Sequence, residues 1–145
     1  MKLQFVNWRR VMGFGLIALC TASSQALDPR ADLTIYGGDF TQTCKDPEPC
    51  YISQATFTVK NTGLTDAGKS AIEVWVSDDF ILDPTDTLIK RVNLGKIKAG
   101  SERIKKVGGK SFKKTKPSLT KIVLVVLDPD NAVDESNEGN LFGFT

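Results

Sequence analysis

Apolar and polar residues alternate in short runs between residues 30 and 145, and this period of two constrains the fold more than any other feature of the chain. In residues 54–60, for example, Ala55, Phe57 and Val59 fall on one face of an extended backbone. Successive side chains of a β-strand point to opposite faces, so such a run predicts a strand with one buried face. Clusters of Gly, Pro, Asn and Asp separate the runs and predict turns.

This pattern predicts about seven strands, which cover residues 32–36, 54–60, 71–77, 87–94, 101–107, 119–127 and 141–144. The run at 119–127 is rich in β-branched side chains, which is typical of a central strand buried on both faces. No ten-residue window shows an apolar stripe with helical spacing. Short strands separated by turns predict an all-β fold, namely an immunoglobulin-like antiparallel β-sandwich. The expected core residues are Phe57, Val59, Ile72, Val74, Val76, Leu88, Ile104, Ile122, Leu124 and Val126.

Residues 1–26 have the layout of a secretory signal peptide. A positively charged start precedes an apolar run of ten residues, and small residues lead up to Ala26. The charges are those of Lys2, Arg9 and Arg10. A run of this length is too short to cross a bilayer, which needs about 20 apolar residues. We therefore expect cleavage after Ala26, a single domain over residues 27–145 with no transmembrane segment, and a secreted or periplasmic location. An uncleaved anchor and lipidation of Cys20 are the alternatives.

Two cysteines remain after this cleavage, Cys44 and Cys50, with a turn-forming Asp-Pro-Glu-Pro segment between them. Nearby cysteines of an exported protein usually pair, so we predict a disulfide between these two residues. A metal site built on the two thiols is the alternative, but the neighbouring sequence lacks further soft ligands.

The chain contains no histidine, which excludes serine–histidine and cysteine–histidine catalysis and histidine-ligated zinc. Carboxylate pairs such as Asp128 and Asp130 are present, and glycosidases work with two acids. They lie in turn-rich sequence that supplies no cleft. We therefore expect that the protein is not an enzyme.

Basic residues are concentrated in residues 90–121, which hold twelve of them and a single acid, Glu102. This segregation predicts a cationic face for an anionic surface such as lipid headgroups or a cell-envelope polymer. The candidate anion-binding residues are Lys105, Lys106, Lys110, Lys113, Lys114 and Lys116. The alternative is that the lysines are solvated and discourage pairing between strand edges. We expect no nucleic-acid partner, because Phe112 is the sole aromatic residue in this segment and stacking platforms need several.

Oxygen-bearing side chains are dense in residues 128–140, and oxygen is the ligand that calcium prefers. The candidate metal ligands are Asp128, Asp130, Asn131 and Glu135. The spacing is not that of an EF-hand, since Val133 stands where that loop needs a glycine. The alternative is that these residues build turns through side-chain hydrogen bonds to the backbone.

Three stretches of the chain together resemble the CARDB family, the cell-adhesion-related domain found in bacteria. They are Phe-Thr-Val-Lys-Asn-Thr-Gly at 57–63, the run from Val-Trp-Val-Ser-Asp-Asp to Asp-Thr-Leu at 74–88, and the segment 125–140 with its Asp-Pro-Asp-Asn start. The resemblance spans about residues 32–142. It implies a seven-stranded immunoglobulin-like β-sandwich with an extracellular adhesion role and no catalytic motif.

Taken together, these features predict an exported, non-enzymatic binding or adhesion module. Its expected partner is a protein, a glycan or a cell-envelope polymer. The alternative is a structural or calcium-stabilised extracytoplasmic domain without a small-molecule ligand.

Overall fold

Seven antiparallel strands and one short helix make up residues 28–145, the part of the chain that the computed structural model describes. The elements are β1 (Leu33–Lys45), β2 (Glu48–Asn61), β3 (Ala67–Ser77), β4 (Thr87–Ile97), β5 (Glu102–Gly108), α1 (Lys110–Thr115), β6 (Ile122–Leu127) and β7 (Leu141–Phe144). The expected signal peptide and Cys20 lie outside the described residues. The helix in the described residues is too short to cross a membrane.

The strands form two sheets, one with the order β1-β2-β5 and one with the order β4-β3-β6-β7. Every strand pair within these sheets is antiparallel. The prediction of an all-β, immunoglobulin-like antiparallel β-sandwich of about seven strands is therefore confirmed.

The core lies between the inner faces of the two sheets. Phe57 of β2 is fully buried there, and its ring meets those of Phe40 from β1 and Phe144 from β7 at centroid distances of 5.9 and 5.7 Å. From β6, alternate residues contribute to the same cluster, namely Val123, Val125 and Leu127. This packing brings residues from the start, the middle and the end of the described chain into one apolar layer.

The two ends of the sandwich carry different loops. One, which we call the helix end, carries the β1–β2 turn, the β3–β4 loop and α1, because Ser77 pairs with Ile122 and β5 leads directly into α1. The opposite end, which we call the Asn61 end, carries the turns after β2, β4 and β6. The two acidic loops, residues 78–86 and 128–140, therefore lie at opposite ends.

Asn61 organises the end that bears its name. Its buried side chain accepts hydrogen bonds from the backbone N–H groups of Asp32 and Gly63, and it donates to the carbonyl oxygens of Thr65 and Ile97. A buried amide with all its hydrogen bonds made holds a single arrangement of the surrounding turns. A Cβ atom on Gly63 would lie 2.4 Å from a backbone oxygen of residue 30, so this turn requires glycine.

The disulfide prediction is confirmed, since Cys44 and Cys50 are bonded across the β1–β2 hairpin. Both strands of this hairpin extend further than the sequence pattern predicted, and Asp46 and Pro47, joined by a cis peptide bond, form the turn between them.

Two of the expected core residues are exposed, so those predictions are wrong. Leu88 is 44% exposed because an irregularity in the pairing of β3 with β4 places it beside Trp75 on the outer face. Ile104 is 61% exposed because it pairs with Thr58 on the outer face of its sheet, and Val107 of the same strand points inward instead.

The three residues of β6 that were expected in the core lie on its outer face; they are Ile122, Leu124 and Val126. Ile122 and Leu124 are nevertheless buried. Leu124 is covered from outside, because Phe80 of the β3–β4 loop lies against Gly143 beside it. The strand is apolar on both faces, so its sequence could not show which face meets the other sheet.

Two leucines of β4 test this assignment of inner and outer faces. Leu94→Ala should lower the free energy of unfolding by about 2–5 kcal/mol, because its fully buried side chain belongs to the core. Leu88→Ala, the matched control, should lower it by less than about 1 kcal/mol. Urea unfolding measures both values, and equal losses would contradict the inner-face assignment.

Candidate functional site

The short helix α1 inserts one side chain into the core of the sandwich. Phe112 is fully buried in the core cluster. The helix follows Gly109, whose φ is 64°, and is capped by Lys116, whose N–H donates to the carbonyl oxygen of Phe112. With this single residue pointing inward, the lysines of the helix are exposed on either side of it. The helix was missed in the sequence because six residues are too few to show a helical stripe.

On one side, α1 and the start of β4 enclose an open cleft of about 490 Å³, which we call the β4 cleft. Its lining consists of Thr87, Leu88, Ile89, Lys110, Ser111, Lys114 and Thr115. Lys110 and Lys114 are four residues apart on the helix, so their side chains are neighbours. Neither has a carboxylate within 4 Å in residues 28–145. The β4 cleft thus combines two uncompensated ammonium groups with hydroxyls and apolar walls.

On the other side, α1 and the β1–β2 turn enclose a cleft of about 420 Å³ in which acids compensate part of the positive charge, and we call it the hairpin cleft. Its lining consists of Lys45, Asp46, Pro47, Glu48, Tyr51, Lys113 and Lys116. Lys116 donates a hydrogen bond to Glu48 at 2.6 Å. This bond, with the attraction of the ammonium group, holds the pKa of Glu48 below its usual value. With three lysines and two acids in its lining, the hairpin cleft therefore carries a smaller net positive charge than the β4 cleft, which has two lysines and no acid.

The last two predicted anion-binding lysines lie on β5. Lys105 pairs with Phe57 and is half-buried, whereas Lys106 pairs with Thr56 and is exposed. Adjacent residues of a strand point to opposite faces, so these two side chains do not share a surface. The six lysines are thus divided among the two clefts and the two faces of β5.

Three of the predicted metal ligands build the turn after β6 or bind its neighbours. Asp128 is buried with a φ of 41°, and its Oδ2 accepts a hydrogen bond from the Val133 N–H at 2.8 Å. The N–H of Asn131 donates to the carbonyl oxygen of Asp128. Asp130 forms an ion pair with Arg91, which also pairs with Glu73 at 3.2 Å.

The fourth predicted ligand, Glu135, attaches the 128–140 loop to the start of β1. It is 1% exposed, and its Oε2 accepts a hydrogen bond from the Leu33 N–H at 2.9 Å. The following residue, Ser136, donates its N–H to the carbonyl oxygen of Ala31 at 2.8 Å. The Oε1 atom of Glu135 is buried without a hydrogen-bond partner among the described residues.

Burial raises the pKa of Glu135 to about 7, because the charged form has lost its hydration. The hydrogen bond from Leu33 opposes this shift, while the nearby carboxylates of Glu138, Asp128 and Asp32 add to it. Residues 28–145 contain no group of three or more acidic or cysteine side chains placed to hold a metal ion. The structure gives the four predicted ligands other roles and does not gather them into a metal site.

The comparisons with known proteins agree with the fold. The CARDB family model matches residues 30–141, so the chain belongs to the CARDB family, as its motifs suggested. No curated protein matches the chain.

Among solved structures, a CARDB domain from Pyrococcus furiosus in complex with di-metal ions is similar, with a TM-score of 0.55 and 17% identity over 84% of this chain and 93% of that one. A β-glucosidase from Listeria innocua has a TM-score of 0.44 and 16% identity over 79% of this chain and 16% of that one. DesR, a β-glucosidase from Streptomyces venezuelae, has a TM-score of 0.39 and 13% identity over 79% of this chain and 15% of that one.

The buried carboxyl of Glu135 gives the stability of the domain a defined pH dependence. Because its pKa rises from 4.5 to about 7 on folding, the folded protein keeps a proton that the unfolded chain releases. The free energy of unfolding should therefore fall as the pH rises through this window and then level off, with a total loss of roughly 3 kcal/mol at most.

Glu135→Gln should abolish this loss, since the amide has no proton to release over this range. Urea unfolding at a series of pH values measures this: the free energy of unfolding of Glu135→Gln, relative to that of the wild type, should increase from pH 4.5 to pH 8. Glu102→Gln, which removes an exposed carboxyl, is the control. A wild type and Glu135→Gln variant with parallel pH profiles would show that Glu135 does not titrate in this window.

Proposed function

We propose that the protein is an exported, non-enzymatic binding module whose β4 cleft receives an anionic group of a protein, a glycan or a cell-envelope polymer. The observation that carries this proposal is the pair of lysines, Lys110 and Lys114, that line the cleft without an acidic partner in the described part of the chain.

The physical basis is the cost of leaving two like charges side by side. Ammonium groups one helical turn apart repel each other by a few tenths of a kcal/mol, and a bound anion turns that repulsion into attraction. The apolar side chains of Leu88 and Ile89 reduce the local dielectric, and the hydroxyls of Thr87 and Ser111 add donors. Binding of this kind is weakened by salt.

Three features support export and a binding role. Residues 1–26 have the sequence layout of a signal peptide, and the Cys44–Cys50 disulfide suits an oxidising, extracytoplasmic compartment. The chain also belongs to a family named for cell adhesion. A secreted or periplasmic location follows from these features as part of the proposal.

Non-enzymatic function is proposed because the catalytic groups that we considered in the sequence are either lacking or engaged in other contacts. The chain has no histidine, and the carboxylates of Asp128 and Asp130 bind the Val133 N–H and Arg91. A calcium-stabilised structural domain is the alternative. The di-metal ions of the Pyrococcus furiosus domain give it some support, but in this chain the candidate ligands already bind other groups.

The test is the double variant Lys110→Glu with Lys114→Glu, used as bait against cell-envelope fractions at low and high salt. The wild type should retain partners at low salt and release them at high salt, and the double variant should lose at least about tenfold in retention.

Lys96→Glu with Lys98→Glu is the matched control. It changes the net charge equally, and these lysines lie in a cleft at the Asn61 end that also contains Asp66 and Glu102. It should retain the partners. Equal losses in both double variants would show that net charge, and not the β4 cleft, causes retention.

A further inference from the structure

The four outer strands of the two sheets differ in how well they are protected against pairing with another chain. Charged residues occur along three of them, and β1 and β4 also have irregular pairing with their neighbours. The charged residues are Asp39 and Lys45 in β1, Lys90, Arg91 and Lys96 in β4, and Glu102, Arg103, Lys105 and Lys106 in β5. Lysines and bulges at an edge prevent edge-to-edge association. The fourth outer strand, β7, reads Leu-Phe-Gly-Phe and carries neither.

The unpaired backbone groups of β7 belong to Leu141 and Gly143. The Leu127 N–H donates to the carbonyl oxygen of Asn140 at 2.8 Å, so residue 140 directs its polar groups toward β6. Residues of an antiparallel strand alternate in direction, which turns Leu141 and Gly143 away from β6 and toward the open edge. Within residues 28–145, two N–H and two carbonyl groups of β7 thus have no hydrogen-bond partner and face the open edge.

The side chains on the outer face of this edge are self-complementary. If a second copy pairs antiparallel about a two-fold axis at Phe142, Leu141 of each copy lies opposite Gly143 of the other. Phe80 covers Gly143, since a Cβ atom there would lie 2.4 Å from the Phe80 ring. Leu141 and Phe80 are 44% and 57% exposed, so each Leu141 would pack on the Phe80 ring of the second copy. A two-fold axis produces this contact twice.

We propose that two copies of this chain associate through β7 and so join their four-stranded sheets into one continuous sheet of eight strands. The absence of charge from β7 fits this occupant, because a charge at residue 141 or 143 would lie diagonally across from its own copy, about 7–8 Å away. This interface would bury on the order of 300–500 Å² of accessible surface on each copy, which is less than the roughly 800 Å² per partner of a standard stable interface. The dimer is therefore weak and depends on concentration. This inference is independent of the β4 cleft.

Sedimentation equilibrium of the protein at concentrations from about 10 µM to 1 mM tests the proposal, since this range spans the dissociation constants of weak complexes. The wild type should shift from monomer to dimer within the range. Leu141→Lys should remain monomeric, because it places two ammonium groups at the interface. Leu141→Pro should do the same by removing an outward N–H that β6 does not use.

Leu64→Lys is the matched control, because Leu64 is 56% exposed and lies at the Asn61 end. It should dimerise like the wild type. Far-UV circular dichroism verifies that the variants fold. If the Leu141→Pro variant does not fold, the Leu141→Lys variant alone decides the outcome. A wild type that stays monomeric up to 1 mM would overturn the proposal, even if β7 pairs with a strand of a different protein. A Leu141→Lys variant that dimerises like the wild type would also overturn it.

Discussion

Burial of the inner faces of the two sheets against each other is the interaction on which the rest of the structure depends. Phe57, with Phe40 and Phe144 around it, joins strands from both sheets in one apolar layer. Burial of apolar surface is the main favourable term in folding, and for this domain it lies between these faces. The layer fixes the positions of the two ends, and each end then differs in how its polar groups are satisfied.

At the Asn61 end, polar groups are used to hold the chain together. Asn61 makes four hydrogen bonds, Asp128 bonds to the turn after β6, and Glu135 attaches that turn to β1. At the helix end, by contrast, Phe112 is the one residue of α1 that is buried in the core, and Lys110 and Lys114 have no acidic partner among residues 28–145. Two neighbouring ammonium groups without an acidic partner are suited to binding an anion, and this is the basis of the binding role that we propose for the helix end.

Much of this architecture could be predicted from the sequence, because the period of two is a direct consequence of strand geometry. The motifs around Phe57 and Asp128 pointed to the CARDB family, and the family model confirms it. The predictions of which side chains face the core were wrong at a few positions, and each error has a local cause. A pairing irregularity moved Leu88 outward, and β6 is apolar on both faces, so periodicity could not orient it.

The lysine-rich segment, residues 90–121, shows a second limit of prediction from the sequence. Its charge was evident in the sequence, but the division between Lys110 with Lys114 and Lys113 with Lys116 depends on a helix too short to be recognised. The acids that compensate one side, such as Glu48, come from a distant hairpin. Spatial pairing of this kind is set by the sandwich and not by neighbouring residues.

The most direct test of the central claim is to map the backbone amide shifts of the protein by NMR during titration with inorganic polyphosphate. We expect salt-sensitive shifts to concentrate at the residues that line the β4 cleft, namely 87–89, 110, 111, 114 and 115. Shifts spread evenly over all the lysines, or centred on residues 128–140, would contradict it.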